Sequence, residues 1–227
     1  MTNLAKELKS DKLALPDLLG LLRSGSFSEL MELIIKPGLK ALPEPERDNL
    51  LAALIYWKNK LDASQRLDRY LRSEFLLKQW DEFLDTTESR HLSEGLLYAL
   101  KYYIYQQALT GYLELYNLSE VADPFVLKQL GLIYKGLGNY ESALASLELA
   151  LTQSRQDARI MFLLADCSAL VGDETRANLF FREAFFLDPE AFELQVCEAP
   201  AIRELVNSLQ ELGLDERELK YWIPIYA

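Results

Sequence analysis

The residue types that most often carry out chemistry are sparse in this chain. It has one histidine, His91, and two cysteines, Cys167 and Cys197. His91 and Glu88 form a Glu-x-x-His pair, a spacing used in di-metal carboxylate bundles, but such a site needs a second histidine. No histidine lies near either cysteine in sequence, so nothing there would activate a thiol as a nucleophile. The chain is therefore predicted to hold no metal and no cofactor, and not to be an enzyme.

Composition excludes further classes of function. Gly131, Gly136 and Gly138 are spaced as in a glycine-rich loop, but no Lys-Ser or Lys-Thr follows to hold a phosphate and magnesium. The net charge of −11, from 24 basic and 35 acidic residues, predicts no nucleic-acid partner, because phosphates repel such a surface unless one face is basic. No apolar run approaches the ~18 residues of a membrane-spanning helix. The N-terminus does not resemble a signal peptide, so the sequence predicts a cytoplasmic protein without membrane insertion.

The elements that position any binding residue are predicted to be helices. Apolar residues recur at three- and four-residue spacing along the chain, and no alternating strand pattern is present. Asp123-Pro124 is a strong helix start, with aspartate as the cap and proline in the first turn. The fold class is therefore predicted to be all-α. The longer helices of the first half are expected at about 47–61, 64–84, 91–105 and 106–118.

From Pro124 onward the sequence repeats itself at an offset of 34 residues. A helix–turn–helix period of this length is the pattern of one repeat architecture. The matched pairs are Leu130 and Leu164, Gly131 and Ala165, Gly138 and Gly172, Ala143 and Ala177, Leu147 and Phe181, and Ala150 and Ala184.

On these residues the region resembles the tetratricopeptide repeat family. The resemblance implies an α-solenoid of antiparallel helix pairs in a right-handed superhelix, with clear units at 124–157 and 158–191. We expect three regions: a degenerate helical N-terminal half over 1–90, repeats over 91–199, and a capping helix with an apolar tail over 200–227. The tail is expected to fold back onto the last helices.

The resemblance also implies that the first helix of each unit lines a concave groove. One branch of the family binds a C-terminal carboxylate there, but Asp166 stands where that branch has asparagine and would repel the ligand. The groove combines apolar and basic residues, which suits an apolar segment that carries acidic residues. The residues expected to bind the partner are Phe125, Lys128, Leu132, Lys135, Arg159, Phe162 and Asp166.

A second candidate interface is a tyrosine-rich helix face formed by Tyr98, Tyr102 and Tyr105. Tyrosine is frequent at binding hot spots, although packing between helices explains such a face equally well. The predicted function is a non-catalytic adaptor or scaffold that binds a protein or peptide in the groove. Two alternatives stay open, a chaperone like those of type III secretion translocators, and a structural subunit of a larger assembly, a homo-oligomer included.

Overall fold

The computed structural model describes residues 14–36, 42–118 and 123–226, except for the side chains of Glu216 and Tyr226. Within these ranges the chain is helical and contains no strand, which confirms the all-α prediction. In chain order the elements are α1 (Leu15–Arg23), α2 (Phe27–Ile35), α3 (Glu44–Ser64), α4 (Arg69–Leu84), α5 (Thr87–Arg90), α6 (Glu94–Leu118), α7 (Pro124–Gly136), α8 (Tyr140–Gln153), α9 (Ala158–Leu170), α10 (Glu174–Leu187), a 3₁₀ turn (Pro189–Ala191), α11 (Pro200–Glu211) and α12 (Glu216–Tyr226). None of these helices is both long and apolar enough to cross a membrane.

The chain forms two compact units, residues 1–114 and 115–227. The division falls inside α6, whereas the sequence pattern placed boundaries after residues 90 and 199. The predicted break between residues 105 and 106 is wrong, because α6 is one continuous helix and nothing at that point interrupts the backbone ladder. Gly111 is tolerated inside α6 because the backbone of α4 packs there: a Cβ at this position would overlap the carbonyl oxygen of Arg69.

The first unit is organised around an aromatic core. The rings of Trp57 on α3 and Trp80 on α4 are stacked with centroids 5.7 Å apart, and Phe83 contacts Trp57 edge-on at 5.5 Å. Both tryptophans are buried. Such ring pairs add to the free energy of burial, since their quadrupoles favour offset and edge-to-face geometry.

The second unit contains the repeat, built from the pairs α7 with α8 and α9 with α10. Each of the 34-residue sequence matches at core positions is buried in both copies, so equivalent residues have equivalent roles. The helices begin at capping side chains that accept backbone N–H bonds, which satisfies donors left over at a helix start. The caps are Asp123 for α7, Asn139 for α8, Asp157 for α9 and Asp173 for α10.

Glycine closes the turn within each pair. Gly138 and Gly172 have φ values of 75° and 82°, a left-handed conformation in which other residues are strained. The next backbone N–H reaches back into the preceding helix: Asn139 donates to the carbonyl of Tyr134 and Asp173 to that of Ser168, each at 2.9 Å. These two glycines therefore end the first helix of each unit.

Gly131 marks the closest approach of α7 to α8. A Cβ on this residue would lie 2.5 Å from Cγ of Leu147. We expect Gly131→Ala to lower the free energy of unfolding by about 1–3 kcal/mol, because the added methyl overpacks a closed core. Gly20→Ala in α1 is the control, since a Cβ there meets no atom within 4 Å. Urea unfolding followed by circular dichroism compares them, and equal stability for both variants would contradict the packing role.

The C-terminal residues complete the core of the second unit. Leu219 and Ile223 of α12 are buried in the cluster that contains Phe181 and Phe185 of α10. Ile223 of the apolar tail is thus buried, whereas Tyr221, Trp222 and Ile225 are exposed. α10 also presents an apolar side chain to solvent, because Phe186 is 93% exposed.

Candidate functional site

A cavity of about 270 Å³ lies in the second unit between α7, α9 and the non-helical segment that follows the 3₁₀ turn. Six of the seven residues predicted for the groove line it, and Lys135 does not. The lining residues are Phe125, Lys128, Gln129 and Leu132 of α7, Arg159, Phe162, Leu163 and Asp166 of α9, Phe181 of α10, and Ala191, Phe192, Glu193, Val196 and Cys197.

Helical spacing explains why α7 and α9 each contribute three of the predicted residues. Phe125, Lys128 and Leu132 follow one another at three and four residues, so they share one face of α7. The residues 34 positions further along the chain form the equivalent face of α9, and they are Arg159, Phe162 and Asp166. The opposite side of α7 carries buried core residues.

The rim of the cavity carries two cations. The Lys128 ammonium lies 5.7 Å from the ring centroid of Phe125, an exposed aromatic residue. Arg159 is exposed, and its Nε lies 3.9 Å from a carboxylate oxygen of Glu193. Both interactions are open to solvent, so neither holds its cation firmly.

The floor of the cavity is aromatic. The Phe162 ring contacts Phe185 at 4.7 Å and Phe192 at 5.2 Å between centroids, each edge-on. Leu132 and Leu163 are half-buried beside it. An apolar floor with a few charged groups at the edge is the usual composition of a ligand-binding cleft.

Lys135 corrects the sequence prediction. It was expected to face the groove, but it is only 3% exposed. Its Nζ lies 2.8 Å from Asp166 Oδ2 and 3.2 Å from Glu198 Oε1, and it donates to the carbonyl of Val196 at 2.6 Å. The non-helical segment covers the last turn of α7, so this lysine anchors the chain's own backbone and is not exposed to a partner.

Asp166 is buried, and one of its carboxylate oxygens is bound by the same segment. Its Oδ1 accepts hydrogen bonds from the backbone N–H groups of Glu198 at 2.8 Å and Ala199 at 2.6 Å, and from the Cys197 thiol at 3.3 Å. Lys135 neutralises its charge. Asp166 was expected to repel a ligand carboxylate, but Lys135 offsets its negative charge inside the protein. The charge at the cavity is therefore set by Lys128, Arg159 and Glu193.

The pKa of Lys135 reflects two opposing effects. Burial lowers it, but attraction to Asp166 and Glu198 together with hydrogen bonds to both outweighs burial, so the pKa lies above its ordinary value. The lysine is thus held charged, which is the condition for a stable buried ion pair.

The sequence analysis did not identify Glu193, Val196 and Cys197 as cavity residues. They lie between the 3₁₀ turn and α11, in a stretch without helical periodicity. The sequence offers one modest signal for them. Phe192 and Val196 are apolar, and they lie between Pro189 and Pro200, two residues that are disfavoured inside a helix.

Both cysteine thiols are buried and protonated. Burial, with the negative charge of Asp166 second, raises the pKa of Cys167 to about 12, and the same two causes raise the pKa of Cys197. A thiolate is the reactive form, so neither residue is set up as a nucleophile.

This burial predicts both slow labelling and a pH effect on stability. At pH 8 we expect a disulfide reagent such as 5,5′-dithiobis(2-nitrobenzoate) to label the native protein at least about tenfold more slowly than the urea-unfolded chain. Rapid labelling of the native protein would show that the thiols are accessible.

The raised pKa values of the thiols also affect stability at high pH. Because the folded pKa exceeds the unfolded value of about 8.5, the thiols' contribution to stability is complete below that pH and is lost as pH rises toward 12.

The tyrosine face also differs from the prediction. Tyr105 is buried against Trp80, at 6.1 Å between ring centroids, so it is not available as an interface residue. Tyr98 and Tyr102 lie under the guanidinium of Arg23, at 5.6 Å and 5.8 Å. Tyr105 is therefore packed within the first unit, whereas Tyr98 is 39% exposed.

His91 lies at the C-terminal end of α5, not at a helix start as the sequence suggested. Its ring Nδ1 is 2.7 Å from the carbonyl oxygen of Thr87, and the side chain is exposed. Across the described ranges, no three His, Cys, Asp or Glu side chains are grouped so that they could hold a metal ion.

Comparisons with known proteins give a distant structural likeness. No protein-family model matches the chain, and no curated protein matches it either. The MamA MSR-1 structure is similar at a TM-score of 0.38 and 17% identity, over 78% of this chain and 95% of that chain. A MamA AMB-1 structure gives 0.37 and 17%, over 82% and 94%. At these values the likeness assigns neither a family nor a function.

Proposed function

We propose that this protein is a non-catalytic adaptor or scaffold, and that it binds a segment of a partner protein in the cavity between α7 and α9. One observation supports this most directly. Two solvent-accessible cations, Lys128 and Arg159, stand at the edge of an apolar cavity in a chain whose net charge is −11. The tetratricopeptide resemblance of the sequence places a binding groove on the same helices.

The composition of the cavity indicates the chemistry of the partner. A volume of about 270 Å³ accommodates one or two apolar side chains, so the bound element is a short helix or extended segment. The cations at the edge favour acidic residues next to those side chains, and a local positive field on an acidic protein steers such a segment to this position. The partner is therefore an apolar segment that carries carboxylates.

Site-specific photocrosslinking tests this proposal. A benzophenone amino acid in place of Leu132, which lines the cavity, is expected to crosslink one discrete partner in extract of the native cell. The same group in place of Phe186, which is exposed on α10 and does not line the cavity, is the control.

Each crosslinking outcome has a defined meaning. A partner crosslinked from position 132 and not from position 186 supports an adaptor that uses the cavity. Crosslinks only to a second copy of the chain support the assembly role, and capture of an unfolded exported protein supports the chaperone role. Equal crosslinking from both positions, or none from position 132, contradicts binding at the cavity.

A further inference from the structure

A segment of the chain itself lies across the cavity. Residues 192–199 run without helical structure from the 3₁₀ turn to α11. One end is held by Phe192, which is buried against Phe162 and Phe185. The other end is held by Asp166, which accepts the N–H groups of Glu198 and Ala199. We call residues 192–199 the strap.

Both anchors are buried, so the backbone of the strap cannot leave without unfolding part of the core. Lys135 adds a third attachment through the carbonyl of Val196. Arg203 adds a fourth, because its Nε donates to the carbonyl of Cys197 at 2.6 Å. Any regulation by the strap therefore acts through its side chains and not through displacement of the whole segment.

Glu193 is an exposed side chain of the strap that faces the cavity. It lines the cavity, and it meets Arg159 in a loose ion pair at 3.9 Å in which the two side chains are 58% and 61% exposed. Surface pairs of this kind contribute little and exchange readily with other ions. The carboxylate thus stands where a partner's carboxylate would meet the guanidinium.

We propose that Glu193 is an internal competitor, whose carboxylate occupies Arg159 until an acidic side chain of the partner replaces it. This inference rests on the proposed function and deepens it. It assigns Arg159 as the group that recognises a carboxylate, and it makes Glu193 the residue that weakens binding and selects for acidic segments. A segment with the same apolar side chains but no carboxylate forms no ion pair with Arg159, so it gains no binding free energy when it displaces Glu193.

Two matched small probes test this without any knowledge of the partner. The first is 1-anilinonaphthalene-8-sulfonate, an apolar anion, and the second is N-phenyl-1-naphthylamine, which has the same rings and no charge. Fluorescence titrations compare wild type, Glu193→Gln, Arg159→Gln and the double variant. Glu211→Gln is the control, since it removes one charge from an exposed residue of α11 that does not line the cavity.

We expect Glu193→Gln to bind the anionic probe about two- to fivefold more tightly than wild type, as for release of one exposed charge pair. The gain should shrink with added salt and should be absent for the neutral probe. It should also disappear in the Arg159→Gln background. Glu211→Gln should bind both probes like wild type.

The inference is overturned if Glu193→Gln gives no gain, or if the gain persists without Arg159 or equals that of Glu211→Gln. These results do not depend on finding a protein partner. If the probe titrations contradict the inference but position 132 gives a specific crosslink, the competitor role of Glu193 is rejected and the adaptor role of the protein stands. A positive probe result without such a crosslink rejects the adaptor role and leaves only competition between Glu193 and small anions for Arg159.

Discussion

Asp166→Ala is expected to lower the free energy of unfolding by about 3–5 kcal/mol, because it leaves the buried Lys135 ammonium without its main counter-charge. It also removes the acceptor for the N–H groups of Glu198 and Ala199. The exposed Glu183→Ala on α10 is the control and should change stability by less than about 0.5 kcal/mol. Urea unfolding followed by circular dichroism measures both.

A double-mutant cycle makes this prediction specific to the ion pair. In wild type, Lys135→Met should destabilise the protein, since it leaves the Asp166 carboxylate buried with less compensation. In the Asp166→Ala background the same substitution should destabilise the protein much less, because Lys135 has then lost its main counter-charge and keeps only Glu198, whose side chain is 40% exposed. The difference between the two Lys135→Met effects is therefore the critical measurement. Equal effects in both backgrounds would show that the two charges do not interact.

The pH dependence of stability follows from the same pair. The pKa of Lys135 is raised in the folded protein above its unfolded value of about 10.4. Its contribution is therefore complete below that pH and is lost as the pH rises through the folded pKa. The loss of stability above pH 10 should be smaller in Lys135→Met than in wild type, once the contribution of the thiols is removed from both proteins with Cys167→Ala and Cys197→Ala.

Lys128→Glu combined with Arg159→Glu is expected to weaken binding of the native partner by at least about 30-fold. Each substitution removes an attraction at the edge of the cavity and adds a repulsion toward an acidic segment, which together amounts to about 2 kcal/mol or more. Folding should be little affected, because Arg159 is exposed and the Lys128 ammonium makes only a solvent-open contact with an exposed ring. Isothermal titration with the crosslinked partner measures the affinity.

The control for this variant carries the same change of charge elsewhere on the second unit. Arg182→Glu with Arg217→Glu alters two exposed arginines, on α10 and α12, that do not line the cavity. This pair should retain affinity within about threefold, as expected for charges outside a contact surface. Equal losses in the two double variants would point to general repulsion by an acidic protein and not to recognition at the cavity.

Periodicity in the sequence was sufficient to predict the four helices of the repeat, α7 to α10, whereas α12 was expected only as an apolar tail. The 34-residue offset identified core residues such as Leu147 and Phe181, and both are buried. The resemblance to the tetratricopeptide family implied a groove lined by Phe125, Lys128 and Arg159, and these three residues line the cavity. The reason is physical: a helix fixes which residues share a face, so a face opposite the core stripe can be computed from spacing alone.

Three features were decided by tertiary contacts that periodicity does not encode. Tyr105 lies on a regular helix face, yet it is buried because Trp80 packs against it. Lys135 lies on the groove side of α7, yet the strap covers it and pairs it with Asp166. Glu193 reaches the cavity from a segment with no repeating pattern. The sequence by itself determined which faces the helices present, because local helical geometry sets them. Only the fold determined which of those faces the non-repeating segments cover. The contacts of these segments join residues about 30 to 60 positions apart, which local geometry does not encode.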